Sequence, residues 1–300
     1  MYESHFGFRE LPFGLTPDPS YFFACSSYRE ALNTLLVAAF NGEGFIKIIG
    51  EVGYGKTMLC RTFLATLQDA NDAGEDPSQN PESKANGRQF VTAYLPNPYL
   101  DPRGLLLALA EEFSVAVDRS VDLHMLTKAV TTGLMEIARE GKHALVCLDE
   151  VQAMPQVTLE AIRLLTNLET EKRKLLQVVL FGQPELDQKL EQQSSRQLLQ
   201  RITFQYTLYG LRDVEVAAYL SHRLRVAGYE RGNLFTDAAI RLLHRYSGGT
   251  PRLVNILAHK ALMLAYGEGL TEIRPRLVRA AAEDTPAARR PVGLLGWLGR

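Results

Sequence analysis

The segment of residues 50–57, GEVGYGKT, constrains the fold of this chain more than any other. It matches the pattern GxxxxGK(S/T) in full, and it lies between a buried-strand pattern, Phe45 to Ile49, and a helical pattern from about Thr57 to Leu67. Glycines at this spacing let backbone N–H groups close around a phosphate, and the N-terminus of the following helix adds its dipole. The segment therefore predicts a phosphate-binding loop between a strand and a helix.

This loop also predicts which residues contact a nucleotide and a metal ion. Lys56 is expected to balance the negative charge of the β- and γ-phosphates, and the Thr57 hydroxyl is expected to ligate Mg²⁺. ATP and Mg²⁺ are therefore the expected ligands. The predicted nucleotide-binding residues are Gly50, Glu51, Val52, Gly53, Tyr54, Gly55, Lys56, Thr57 and Met58.

Two adjacent carboxylates, Asp149 and Glu150, follow the apolar strand pattern Ala144 to Leu148. The C-terminal ends of strands form the edge at which α/β sheets bind ligands. We expect Asp149 to hold Mg²⁺ through water, and Glu150 to orient and deprotonate the water that attacks the γ-phosphate. A strand that ends in acidic residues is usually only a solvated strand end, so the catalytic interpretation depends on the complete loop upstream.

Two further polar residues are candidates for the same site. Gln183 follows a fourth predicted strand, Leu176 to Phe181, where its amide could hold the attacking water beside Glu150. Arg252 is the second residue of a predicted helix with Thr250 as N-cap and proline at its first position. From there it could reach the γ-phosphate across an interdomain cleft, although a plain surface arginine is the alternative.

A last candidate, Arg201, precedes the fifth predicted strand, and Arg196 is a near alternative. An arginine at a domain edge can act on the nucleotide of a neighbouring subunit, which would make the protein a homo-oligomer. An ordinary surface ion pair explains Arg201 equally well.

The order of the patterns predicts the fold class. Strands alternate with helices up to Gly210, which favours an α/β fold with a parallel sheet flanked by helices, as in P-loop NTPases. Beyond that residue only helical patterns follow, so a small all-helical lid domain is expected. The predicted regions are an aromatic and proline-rich extended wrap at 1–27, the core at 28–210 with a solvated loop at 69–88, the lid at 211–282, and a flexible tail at 283–300.

Composition excludes several classes of protein. Hydrophobic residues make up 46% of the 300, which excludes a disordered chain, and the net charge of −1 gives no global field for nucleic acid or anionic lipid. The three cysteines, Cys25, Cys60 and Cys147, are far apart, which favours buried thiols in a reducing cytosol. No apolar run reaches the roughly 18 residues of a membrane span. A cytoplasmic protein without its own transmembrane segment is therefore expected.

The motifs together resemble a known family. The N-terminal half carries HFGF at 5–8, LTPDP at 15–19, YFF at 21–23, REAL at 29–32 and GEVGYGKTMLCR at 50–61. These are similar to AAA+ ATPases of the general secretion pathway protein A, or ExeA, type. LDEVQAMP at 148–155, KLLQVVLFGQPELD at 174–187 and GGTPRLVNILAHKAL at 248–262 are similar to the MshM-type members that serve the mannose-sensitive haemagglutinin (MSHA) type IV pilus.

The resemblance implies a cytoplasmic ATPase with a RecA-like core and a helical lid. It would act with an inner-membrane partner protein in assembly of a type IV pilus or of a type II secretion or secretin complex, and would be peripheral at that membrane. Larger members of the family continue into a transmembrane helix and a periplasmic domain, so the membrane link of this chain is expected to come from its partner. The chain also has Gln152 where many relatives have histidine.

A different class of function is a DNA-binding AAA+ helper ATPase of transposition or replication. Basic clusters at 172–174 and 196–201 would support it, but the pI of about 6.6 and the usual solvation of such clusters argue against it. Nucleic acid is therefore an unlikely partner.

Two further expectations concern the two ends of the chain. The aromatic wrap contacts the nucleotide base or the cleft wall, fills the core, or does both. The apolar residues at 293–300 dock on a partner or membrane surface, or remain a disordered tail without function.

Overall fold

The structure is a computed structural model that describes residues 2–16, 18–73, 88–96, 99–167, 174–193 and 195–289. The chain divides into two compact units. The sheet unit comprises residues 28–52 and 56–208, and the helical unit comprises 2–27, 53–55 and 209–289. The apolar residues 293–300 of the predicted docking tail lie outside the described residues.

The described residues contain five strands and twelve α-helices. The strands are β1 Phe45–Ile49, β2 Phe90–Leu95, β3 His143–Leu148, β4 Leu176–Gly182 and β5 Ile202–Thr207. The helices are α1 Glu3–Phe6, α2 Ser26–Asn41, α3 Lys56–Ala73, α4 Pro102–Glu112, α5 Leu123–Arg139, α6 Gln156–Leu165, α7 Glu185–Glu191, α8 Arg196–Leu199, α9 Asp213–Val226, α10 Asp237–Ser247, α11 Pro251–Gly267 and α12 Pro275–Glu283.

The strands form one parallel sheet in the order β2-β3-β4-β1-β5. Every residue of β1 and β4 is buried, as expected for central strands covered by helices on both faces. Ile49 is in register with Gly182, and Leu148 with Leu180, so β1, β3 and β4 end at one edge. This register brings the segments that follow the three strands together. The predicted α/β class with a parallel sheet is confirmed.

One charged side chain interrupts the apolar strand β1. Lys47 is 5% exposed, and its ammonium lies 2.5 Å from Asp187 of α7. A buried charge is tolerated when it is paired, and here the partner comes from a helix that sequence periodicity does not predict.

Three short helices differ from the prediction. The pattern at residues 1–25 favours an extended wrap, but residues 3–6 form α1, which ends at Gly7 with φ of 81°. The helices α7 and α8, of seven and four residues, are absent from the prediction because they span too few turns for a periodic signal. The predicted solvated loop at 69–88 begins inside α3, and residues 74–87 lie outside the described residues.

The aromatic N-terminal segment packs into the core of the helical unit. Tyr2 is 2% exposed and its hydroxyl lies 2.7 Å from His259 Nδ1. The guanidinium of Arg223 lies 4.4 Å from the Tyr21 ring centroid and donates to the Pro12 carbonyl at 2.6 Å. The rings therefore fill the core of this unit, one of the two roles that the sequence leaves open.

Glu215 of α9 joins this segment to the helices through hydrogen bonds. Its carboxylate accepts from the backbone N–H and hydroxyl of Ser26 at 3.1 and 2.8 Å and from the backbone N–H of Arg212 at 2.9 Å. Burial alone would raise the pKa of Glu215, but hydrogen bonds from Arg212 and Ser26 outweigh it and lower the pKa to about 2.

This lowered pKa predicts an acid-dependent contribution to stability. The folded-state pKa lies below the ordinary value of 4.5, so the carboxylate stabilises the fold above pH 4.5 and this contribution is lost as the pH falls towards 2. Glu215→Gln is expected to lower the melting temperature by about 2–4 °C at pH 7, and the difference from wild type should shrink between pH 4.5 and 2. Thermal unfolding followed by circular dichroism measures it, with Glu230→Gln as an exposed control. A difference that is independent of pH would contradict the assignment.

All three cysteines are buried, and none of them forms a disulfide bond, which confirms the prediction of buried thiols. None of the helices in the described ranges is both long enough and apolar enough to cross a bilayer.

Candidate functional site

The loop of residues 50–57 has the backbone that its glycines predict. Gly53 and Gly55 have φ of 81° and 83°, in the left-handed region that side chains disfavour. Gly50 donates its N–H to the Gly182 carbonyl at 3.1 Å, and a Cβ there would lie 3.0 Å from Leu208 Cβ. Glycine is therefore required for conformation at two of these positions and for close packing at the third.

Lys56, the first residue of α3, is 5% exposed and turns back over this loop. Its Nζ donates to the Gly50 carbonyl at 2.9 Å and to the Glu51 carbonyl at 3.3 Å. Burial lowers the pKa of this amine, and the negative charges of Glu150 and Asp149 partly offset that effect. The Lys56 ammonium group is thus held by carbonyl oxygens of the loop itself. Of the other predicted binding residues, Glu51 and Val52 are exposed and Met58 is half-buried.

Thr57 and Asp149 meet at the edge of the sheet. The Thr57 hydroxyl donates to Asp149 Oδ2 at 2.6 Å, and Asp149 is only 2% exposed. Its Oδ1 accepts the Glu150 N–H at 3.0 Å. Burial raises the pKa of Asp149, against the hydrogen bonds from Thr57 and Glu150 that lower it.

A hydroxyl and a carboxylate are hard oxygen ligands, which Mg²⁺ prefers. Mg²⁺ in nucleotide sites uses one or two such protein ligands and takes the rest from phosphates and water. No group of three or more His, Cys, Asp or Glu within the described residues suggests another kind of metal site. Thr57 and Asp149 therefore fit Mg²⁺.

Glu150 follows at the end of β3 with an unusual backbone. Its φ of 55° and ψ of 39° place it in the left-handed region, which is uncommon for a residue other than glycine. Its Oε2 accepts hydrogen bonds from Gln183 Nε2 at 2.8 Å and from Gln152 Nε2 at 2.6 Å. The structure thus brings the predicted pair Glu150 and Gln183 into direct contact.

Arg252 lies in the helical unit, on the first turn of α11. Its N–H donates to the Gly53 carbonyl at 3.3 Å, and a Cβ added at Gly53 would lie 2.8 Å from Arg252 Cβ. Thr250 is the N-cap residue and Pro251 the first helical residue, as predicted, but the Thr250 side chain makes no capping hydrogen bond. The tip of the glycine-rich loop therefore touches the segment that carries Arg252.

Arg201 follows α8, and its charge acts on Glu160 of α6. The carboxylate of Glu160 accepts from Arg163 Nε at 2.9 Å. The hydrogen bond from Arg163 is the largest cause of the lowered pKa of Glu160, and the positive charge of Arg201 lowers this pKa further. The alternative candidate Arg196, on α8 itself, is exposed.

Two residues at this site have no predicted role from sequence. Gln152 contacts Glu150, and Tyr94 at the end of β2 has its hydroxyl 3.4 Å from Asp149 Oδ2. Their only signal in the sequence is a polar group at or just beyond the C-terminal end of a strand, and many residues share that feature.

Comparison with curated proteins finds a relative in a secretion system. The chain is 39% identical over 289 residues to "General secretion pathway protein A" of Aeromonas hydrophila. The match covers 96% of this chain but 49% of that protein, so the chain spans about half the length of this relative.

Solved structures share the fold at low sequence identity. The ORC2 protein of Aeropyrum pernix, in ADPNP-ADP complexes, has a TM-score of 0.61 at 18% identity and covers 88% of this chain and 68% of its own. The Thermotoga maritima RuvB Holliday junction branch migration motor has a TM-score of 0.56 at 14% identity and covers 91% of this chain and 73% of its own. These likenesses show the AAA P-loop NTPase fold.

The family comparison covers the segment in which the candidate residues cluster. The AAA domain family matches residues 40–190, half of the chain, which contain the glycine-rich loop, Asp149, Glu150 and Gln183. This match, together with the parallel sheet and the loop geometry, shows that the chain belongs to the AAA domain family.

Proposed function

We propose that this protein is a Mg²⁺-dependent ATPase that hydrolyses ATP to ADP and phosphate. The observation that carries the proposal is the convergence at one sheet edge of Lys56, the Thr57–Asp149 pair at 2.6 Å and the Glu150–Gln183 pair at 2.8 Å. A phosphate-binding loop needs only the first of these groups to bind a nucleotide. The carboxylate of Glu150 and the amide of Gln183, which lie at the same sheet edge, are the groups that hydrolysis requires.

The chain's own residues bind and orient the phosphates. Backbone N–H groups of residues 53–57 surround the phosphate oxygens, and Lys56, already held over the loop by two carbonyls, supplies the cation. Thr57 and Asp149 would hold Mg²⁺. When bound, the ion neutralises charge on the phosphate oxygens.

Glu150 supplies the base for the attacking water. Its carboxylate accepts a proton from the water as the bond from the water oxygen to the γ-phosphorus forms and the bond from the γ-phosphorus to the β,γ-bridging oxygen breaks, which releases ADP. The Gln183 amide, 2.8 Å from Oε2, orients the carboxylate and the water. Arg252 would add positive charge at the γ-phosphoryl oxygens.

The biological role we propose is assistance in assembly of a type IV pilus of the MSHA type or of a type II secretion or secretin complex at the inner membrane. The 39% identity to "General secretion pathway protein A" over 96% of this chain supports a role in that class of machinery. We place the protein in the cytoplasm as a homo-oligomer, peripheral at the membrane through a partner protein.

Lys56→Ala is expected to bring ATP binding and phosphate release below detection, because it removes the one loop cation that faces the β- and γ-phosphates. Isothermal titration with a non-hydrolysable ATP analogue and a phosphate-release assay measure the two effects. Lys128→Ala, at an exposed lysine of α5, is the matched control and should behave as wild type. Wild-type binding by Lys56→Ala would contradict the site.

The same assay separates the proposed role from DNA binding. Phosphate release is measured with duplex DNA and with liposomes that contain anionic lipid. Stimulation by the liposomes supports a membrane-proximal role, whereas strong stimulation by DNA would overturn the proposed role in favour of a DNA-binding helper ATPase.

A further inference from the structure

The side chain of Gln152 is bound at both ends of its amide. Its Oε1 accepts the backbone N–H of Gln183 at 3.1 Å, and its Nε2 donates to Glu150 Oε2 at 2.6 Å. A backbone N–H can only donate, so the amide oxygen must face Gln183 and the NH₂ group must face Glu150. The orientation of the amide is therefore set by its partners.

Gln183 closes this arrangement into a ring. Its backbone N–H binds Gln152, while its own side chain donates to the same Glu150 oxygen that Gln152 contacts. Hydrogen bonds to a carboxylate are stronger than those between neutral groups, and two donors on one oxygen restrict rotation of the carboxylate. Gln152, which follows β3, and Gln183, which follows β4, thus hold the Glu150 carboxylate together.

The backbone at Glu150 makes such restraint necessary. A residue with a side chain in the left-handed region persists only where the surrounding structure holds it. Here the next residues form a 3-10 turn, Val151–Ala153, and Lys189 of α7 donates to the carbonyls of Gln152, at 3.0 Å, and of Met154. Gln152 is therefore fixed through its main chain and its side chain.

We propose that Gln152 is a positioning residue for Glu150. It holds the carboxylate through Oε2 and so leaves Oε1 directed to the attacking water. The proposal rests on the proposed function of Glu150 as the base. The side-chain contacts of Gln152 run to Glu150 and Gln183, and neither partner belongs to the 50–57 loop, so its loss should slow turnover without weakening ATP binding.

Two substitutions separate the donor from the acceptor. Gln152→Met has similar length and no amide, and we expect kcat to fall by about 10- to 100-fold while KM for ATP changes by less than about 3-fold. Gln152→Glu keeps an acceptor for the Gln183 N–H, loses the donor and sets a second negative charge beside Glu150, so kcat should fall at least as far. Gln156→Met, at another half-buried glutamine of the sheet unit, is the matched control.

A background variant distinguishes positioning from a merely structural role. In Glu150→Gln protein, adding Gln152→Met should change the residual single-turnover rate by less than about 2-fold, because the base it positions is gone. A structural role would lower the rate to the same extent in both backgrounds. Wild-type kcat in Gln152→Glu, equal losses in the two backgrounds, or a change confined to KM would each overturn the proposal.

The controls also identify which idea has failed. If wild-type protein does not hydrolyse ATP, or if Glu150→Gln hydrolyses it at the wild-type rate, the proposed function fails and the role of Gln152 fails with it. If both behave as expected and Gln152→Met retains full kcat, only the role of Gln152 is wrong.

Discussion

Glu150→Gln is expected to bind ATP as tightly as wild type and to release phosphate at least about 100-fold more slowly, because a general base contributes about 10²–10⁴-fold to rate. The local structure should survive the change. An amide oxygen introduced at this position can still accept the hydrogen bonds from Gln152 and Gln183 that the carboxylate Oε2 accepts now. What is lost is the capacity to take a proton from water.

The measurement is single-turnover phosphate release at saturating ATP, with binding of a non-hydrolysable analogue measured separately. Glu191→Gln, at the exposed end of α7, is the control and should leave both values unchanged. Asp149→Asn should behave differently from Glu150→Gln, because it weakens the binding of Mg²⁺ and leaves the base Glu150 in place. Hydrolysis at the wild-type rate by Glu150→Gln would show that another group is the base.

The sequence predicts the local geometry of the candidate site where its signals come from adjacent residues. The strand Phe45–Ile49 has the predicted bounds, and the loop after it has the positive φ angles that its glycines allow. Both features are predictable because an apolar run and a glycine-rich turn each depend only on residues that are adjacent in the sequence. The acidic pair Asp149 and Glu150 is found because a strand pattern places it at a known edge of the sheet.

Long-range contacts are what the sequence leaves undetermined. Gln152 and Gln183 are 31 positions apart, and their hydrogen bond depends on the adjacency of β3 and β4, which strand patterns alone do not give. The contact between Arg252 and Gly53 likewise spans most of the chain. A short helix such as α7, which supplies Lys189 to the Gln152 carbonyl, has too few turns to show a period.

Transition-state charge on the γ-phosphoryl oxygens requires more cations than Lys56, and an arginine finger is worth about 10³–10⁵ in rate. Arg252, whose backbone contacts the tip of the loop at Gly53, is our candidate for one of them. Arg201 is our candidate for the other, acting on the nucleotide of a neighbouring subunit. We therefore expect ATP to drive self-association and activity per subunit to rise with protein concentration, measured by light scattering and phosphate release.

Mixtures of variants decide whether Arg201 acts on a neighbour. Arg201→Ala subunits should bind ATP normally and fail to activate one another, and a Lys56→Ala subunit with Arg201 intact should restore their turnover. Arg139→Ala, at the exposed last residue of α5, is the matched control. If Arg201 acts only through its charge on Glu160, Glu160→Gln should reproduce the defect and no mixture should rescue it, because an interaction within one chain cannot be supplied by another. Activity that is independent of concentration, from a protein that stays monomeric with a non-hydrolysable ATP analogue, would show that one chain holds a complete site.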